Sequence, residues 1–242
     1  MRMGNYIAYK VCTDCNRREM VAIMYIETKN LTKRIKGVEV LQNVNLRFES
    51  GKIYGLKGKN GSGKTMLMRA LCGLITATEG TIDINGEILG KDISFPRRVG
   101  VLIENPAFIP SYTGLKNLQV LASIQKRVDD RKIQDTIISV GLDPQDKRTY
   151  KKYSLGMKQR LGIAAAVMED PDIVILDEPI NALDEDGAIQ VRDILRKIRE
   201  RGAITIVACH DTEELEALSD EIITICDGKI IEDIAKKNDK LK

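Results

Sequence analysis

Gly58-Lys59-Asn60-Gly61-Ser62-Gly63-Lys64-Thr65 fits the pattern G-x-x-x-x-G-K-[ST], with an apolar run at 53–56 before it and helical spacing at 64–74 after it. A strand that turns through glycines into a helix points successive backbone N–H groups inward, where they cradle phosphate oxygens. The helix N-terminus adds about half a positive charge at the same place. Lys64 is placed to neutralise the β- and γ-phosphates, and Thr65 carries the hydroxyl suited to Mg²⁺. Gly58 to Thr65, with Met66 next in the helix, are therefore the residues expected around a nucleoside triphosphate. A ligand-free glycine turn is the plainer reading, and the complete match in its strand–helix setting disfavours it.

A second constellation lies downstream. The apolar strand at 173–176 runs straight into Asp177-Glu178-Pro179. Two acids at the C-terminal end of a buried strand stand where open α/β sheets bind their ligands. Asp177 suits Mg²⁺, directly or through water, and Glu178 suits a general base that orients and deprotonates water. Taken alone, such a pair is often a solvated turn. Following a phosphate loop, it points to hydrolysis of the β–γ bond.

Composition narrows the remaining classes. Lys+Arg 38 against Asp+Glu 35 gives +3, too near balance for nucleic acid held by bulk charge. No apolar run approaches the roughly 18 residues that cross a bilayer. The one histidine, His210, excludes a site built from several imidazoles. Cys72, Cys209 and Cys226 stand apart in apolar surroundings, as in a reduced cytosolic chain. Cys12 and Cys15 form a CxxC, yet a structural zinc site wants a second such pair or histidines.

Strand patterns occur at 26–31, 38–48, 52–56, 81–85, 87–89 and 99–103, and again at 173–176, 204–209 and 222–226. Between 105 and 168 only helical spacing appears, at 115–126, 131–140 and 156–168, and a further helix is expected at 187–201. The fold expected is α/β, a P-loop NTPase core with a mainly parallel sheet, an antiparallel β subdomain and an inserted helical subdomain. Residues 26–104 and 169–242 supply the core and β subdomain, residues 105–168 the insertion, and residues 1–25 a leader of unknown role. The leader's basic start lacks the apolar stretch of a secretory signal. The basic tail at 236–242 is expected to fray.

One segment separates this chain from other P-loop proteins. Tyr153-Ser154-Leu155-Gly156-Met157-Lys158-Gln159-Arg160 heads a helix, with Ser154 as N-cap and free N–H groups behind it. The order of phosphate loop, this segment, Asp177-Glu178 and then His210 after a strand resembles the nucleotide-binding subunit of ABC transporters, over roughly residues 26–228. The resemblance implies that Ser154, Leu155 and Gly156 form a signature that contacts ATP on the opposite subunit. It implies that Ala182, Leu183 and Asp184 form a loop communicating across the dimer, and that His210 touches the γ-phosphate. With Lys64 and Glu178, His210 completes the expected catalytic set.

Three departures from the family pattern stand out. Glu104 follows the strand at 99–103 where glutamine is usual, and its carboxylate is a further expected Mg²⁺ group beside Thr65 and Asp177. The signature reads Tyr-Ser-Leu-Gly-Met, with Leu155 and Met157 at its altered positions. Together these look like the ATPase subunits of bacterial exporters for peptide antibiotics, the bacitracin-resistance and lantibiotic-immunity group. The third is Ile35, which stands where an aromatic would stack on adenine, so weak discrimination between ATP and GTP is expected.

The loop at 105–113 carries Pro106, Phe108, Pro110 and Tyr112, and the resemblance makes it border a groove for a helix of the membrane subunit. The implied cofactors are ATP and Mg²⁺. The implied partners are a membrane-spanning permease subunit and a second copy of the chain, with no nucleic acid, at the cytoplasmic face of a bacterial membrane. The competing class is a non-transport ABC ATPase of the cytosol. Its DNA-maintenance members would need a long coiled coil between Thr65 and Ser154, where no sustained heptad run appears.

Overall fold

The computed structural model describes residues 7–11 and 18–231. Cys12, Cys15 and the basic tail lie outside the described residues. Within the leader, β1 (Ile7–Val11) and β2 (Arg18–Ala22) pair antiparallel as a separate two-stranded sheet, which the residue pattern did not announce.

The central sheet has six strands in the order β12-β11-β5-β10-β9-β8. These are β8 (Val99–Leu102), β9 (Ile173–Asp177), β10 (Ile204–Ala208), β5 (Lys52–Lys57), β11 (Glu221–Cys226) and β12 (Lys229–Ile231). All neighbours run parallel except the edge hairpin of β11 and β12. Alternation along the strands shows that both faces are covered. Val174, Leu176 and Val207 join one apolar cluster, and Ile173, Ile175, Ile204 and Ile206 join the other.

The first cluster holds α2 (Gly114–Gln125), α3 (Asp130–Ser139) and α4 (Leu155–Val167), all between β8 and β9 in the chain, together with α5 (Glu185–Glu200). The second is closed by α1 (Lys64–Leu71) and by a four-stranded antiparallel sheet in the order β4-β3-β6-β7. Its strands are β3 (Tyr25–Ile35), β4 (Val38–Glu49), β6 (Glu79–Ile84) and β7 (Glu87–Ile88). The expected α/β architecture is thus present: a mainly parallel sheet, an antiparallel sheet and a run of helices between two core strands.

Two boundaries differ from the expectation by three residues or more, and one helix was not expected. β3 runs on to Ile35, because register shifts around Asn30, which has φ 50°, carry the polar Thr32-Lys33-Arg34 stretch past the irregularity. α1 stops at Leu71, since Gly73 at φ 75° brings the chain within reach of Ser94 and Phe95. α6 (Thr212–Leu218) was not foreseen: it is seven residues of mostly acidic sequence. Its signal was Asp211, whose carboxylate accepts from the N–H groups of Glu213 and Glu214. α6 packs on β5 at Gly55, where an added Cβ would stand 2.4 Å from Ser219 Oγ.

Candidate active site

The phosphate loop leaves β5 and enters α1 as its sequence requires. Gly61 and Gly63 take φ of 79° and 111°, values that favour glycine. Gly63 also has no room for a side chain, since a Cβ there would lie 2.9 Å from Val40 O and 3.4 Å from Gly228 Cα. The turn between β11 and β12 supports the loop from behind, with Gly228 N–H donating to Ser62 O at 2.8 Å.

A cleft of about 470 Å³ opens over this loop. Its walls are Lys59 through Met66, Ile35, Val40, Asp177, Glu178 and His210. Residues far apart in sequence converge because β5, β9 and β10 are adjacent and end on one side, so each strand delivers its following residues to one edge. Gly58 stands behind the wall: a Cβ there would meet Ile225 O at 2.4 Å, and its own carbonyl accepts from Lys64 Nζ at 2.5 Å. Lys64 donates to Lys59 O as well, at 3.2 Å, so the ammonium is held over the loop carbonyls.

Thr65 Oγ1 donates to Asp177 Oδ2 at 2.8 Å, which joins the start of α1 to the end of β9. Glu178 occupies the left-handed region at φ 51°, a costly conformation for a non-glycine residue. Its backbone is fixed by its own N–H donating to Ala208 O and by Gln159 Nε2 donating to its carbonyl, both at 2.9 Å. The carboxylate accepts from the His210 N–H at 3.2 Å through Oε2. Oε1 is buried without a hydrogen bond, 3.4 Å from His210 Nε2. Burial pushes the Glu178 carboxyl above its ordinary value, opposed by His210. A half-buried carboxylate that lines the cleft beside phosphate-loop residues is equipped to accept a proton from water.

Glu104 does not line the cleft. It follows β8 at φ 62°, and its carboxylate accepts from Arg69 Nη2 at 2.6 Å. Ser154, Leu155, Gly156, Ala182, Leu183 and Asp184 also stand apart from the cleft but beside one another. Ser154 caps α4 through Met157 N–H, and a Cβ on Gly156 would lie 2.9 Å from Ala182 O. Asp184 caps α5, and Arg160 of α4 binds it while also donating to Val140 O and Gln190.

Several contributors escaped the sequence reading. Val40 enters the cleft from β4, and Gln159 reaches Glu178 from α4. Only Gln159 left a signal, since it belongs to the segment already singled out. In the loop at 105–113, Phe108 packs edge-on to Tyr150 at 5.2 Å, whereas Ile109 and Tyr112 are exposed.

A parallel sheet with a phosphate loop, a strand-end acid pair, a histidine just past the next strand and the capped helix led by Ser154 together match the pattern of an ATP-binding cassette. The family described as ABC transporter matches residues 41–181. The uncharacterized ABC transporter ATP-binding protein YybJ of Bacillus subtilis is 51% identical over 205 residues, covering 85% of this chain and 94% of its own. The bacitracin transport ATP-binding protein BcrA of Enterococcus faecalis is 39% identical over 217 residues, 89% of this chain and 70% of its own. Among solved structures, the ATP-binding cassette MJ0796, dimeric in a post-hydrolysis state with ADP and Pi, superposes with TM-score 0.79 at 23% identity. That likeness covers 89% of this chain and 100% of the other. The chain belongs to the ABC transporter family, as an ATP-hydrolysing subunit.

Proposed function

We propose that two copies of this chain close around two Mg-ATP and, by hydrolysing them, drive a separate membrane-spanning permease that exports a peptide antibiotic or related compound. The observation that carries the hydrolytic part is the convergence of Lys64, Thr65, Asp177, Glu178 and His210 on one cleft. Lys64 and the loop N–H groups hold the phosphates, and the Glu178 carboxylate accepts the proton of the attacking water. The water oxygen bonds to the γ-phosphorus as the bond to the β-phosphate oxygen breaks, and the proton passes from Glu178 to the products. His210, held against Glu178 through its backbone, orients that carboxylate and reaches the γ-phosphate. Thr65 Oγ1 and Asp177 Oδ2 are hard oxygen donors 2.8 Å apart and would hold Mg²⁺, and Glu104, paired with Arg69 outside the cleft, would add a second carboxylate only on leaving that pair. When bound, the ion offsets charge on the β- and γ-phosphates.

Pairing is supported by the exposed patch of Ser154, Leu155, Gly156, Ala182, Leu183 and Asp184. It touches nothing in its own cleft, yet it offers a capped helix N-terminus of 13 residues suited to a phosphate from another copy. A permease is supported by apolar surface in a chain whose helices, among the described residues, are none of them long and apolar enough to cross a membrane. Leu74, Phe95, Ile109 and Tyr112 are all exposed. The bacitracin-transport relative supports export of a peptide antibiotic at the cytoplasmic face of a bacterial membrane.

Phosphate release from Mg-ATP tests the reading. Glu178→Gln should keep nucleotide binding and lose turnover by about 10²-fold or more. Lys64→Ala should lose binding itself. Normal turnover in Glu178→Gln would remove Glu178 as the base.

A further inference from the structure

Arg69 lies one turn beyond Thr65 on α1, and the two side chains reach two neighbouring strand ends. Thr65 binds Asp177 at the end of β9, and Arg69 Nη2 binds Glu104 Oε1 just past β8 at 2.6 Å. β8 and β9 are parallel with Leu102 beside Leu176, so the register continued past them sets Glu104 beside Glu178. Yet the Glu104 side chain stands outside the cleft, 62% exposed, with its carboxylate on Arg69 and its backbone in the left-handed region. The helical run between β8 and β9 begins beyond this point.

We propose that Arg69 is a positioning residue: its guanidinium holds Glu104 outside the cleft and competes with the divalent-cation site for that carboxylate. The proposal rests on the cleft being the Mg-nucleotide site. Two acceptors of opposite consequence exist for one side chain. On Arg69, Glu104 stays beside α1; on a cation at Thr65 and Asp177, it would turn into the cleft. The ion pair must break before the carboxylate can move, so removing the guanidinium makes recruitment easier. A pair this exposed biases such an equilibrium by about two- to fivefold. Arg69→Met is therefore expected to tighten metal binding, opposite to the loss produced by removing a ligand.

The test titrates Mn²⁺, followed by its electron paramagnetic resonance signal, into full-length protein carrying ADP. Wild type is compared with Arg69→Met, Arg69→Gln, Glu104→Gln and the double variant Arg69→Met with Glu104→Gln. Either Arg69 variant should bind Mn²⁺ about two- to fivefold more tightly, and Glu104→Gln more weakly. The double variant should match Glu104→Gln alone, because Arg69 acts only through that carboxylate. Unchanged or weaker Mn²⁺ binding in the Arg69 variants overturns the proposal, as does equal tightening in the Glu104→Gln background. Folded wild-type protein that takes up no ADP-dependent Mn²⁺ instead overturns the reading of the cleft on which the proposal rests.

Discussion

Burial pushes the Glu178 carboxyl above the ordinary 4.5, and this ties its chemistry to the stability of the fold. An acid whose pKa is raised on folding favours the protonated native state. Its contribution is full below the unfolded value and is lost as pH rises through the folded one. At neutral pH the buried charge therefore destabilises. Glu178→Gln should melt at a higher temperature than wild type at pH 7, and thermal scans should show the difference closing below about pH 4.5. Turnover should fall on acidification through a value above that of an ordinary glutamate, because the base must be ionised; a profile flat down to pH 4.5 would contradict this. Nucleotide choice is also testable at the residue scale. Ile35, Val40 and Met66 are the apolar side chains lining the cleft, and none has a ring to stack on a base. ATP and GTP should be hydrolysed at rates within about tenfold, since base–aromatic stacking is worth about 1–3 kcal/mol where it exists. Side-by-side assays showing a larger preference would remove that role for Ile35. Lys64, Thr65, Asp177 and Glu178 were legible because the phosphate loop and the acid pair are contiguous in sequence, and His210 through the family resemblance and its place after the strand at 204–209. Val40 and the Arg69–Glu104 pair were not, since chain segments meet there that no local pattern connects.

Elements were legible where apolar spacing is strong and less so where packing decides. The strands at 173–176 and 204–209 are buried runs, and the structure places them within one residue of their expected ends. α6 is short and acidic, and its position follows from packing on Gly55, a contact across 160 residues of chain that no pattern reveals. Gly100 is a similar case. In sequence it is one small residue in an apolar strand. In the structure a Cβ there would lie 1.8 Å from Ala166 O, because β8 and α4 approach backbone to backbone. Gly100→Ala must push α4 off the sheet and should destabilise by about 2–3 kcal/mol, a fall of roughly 5–10 °C in Tm. Because α4 carries Ser154 and Gly156, nucleotide-dependent pairing should weaken in this variant before nucleotide binding does.

At the scale of the whole molecule, the proposed pairing means that one chain holds two incomplete halves of a site. The cleft supplies the phosphate loop, the acid pair and His210, and the exposed patch around Ser154 and Ala182 lies outside its walls. Both halves are satisfied at once only if a second copy is turned to place each patch over the other's cleft, as a closed two-fold pair allows. Conformational work on a permease would then come from closure and reopening of that pair. The direct measurement is light scattering during size-exclusion chromatography of Glu178→Gln with and without Mg-ATP. A monomer that becomes a dimer only with nucleotide is the expected result, and Ser154→Arg should abolish the change. A Glu178→Gln protein that binds ATP yet stays monomeric at every concentration would contradict the nucleotide-sandwiched pair.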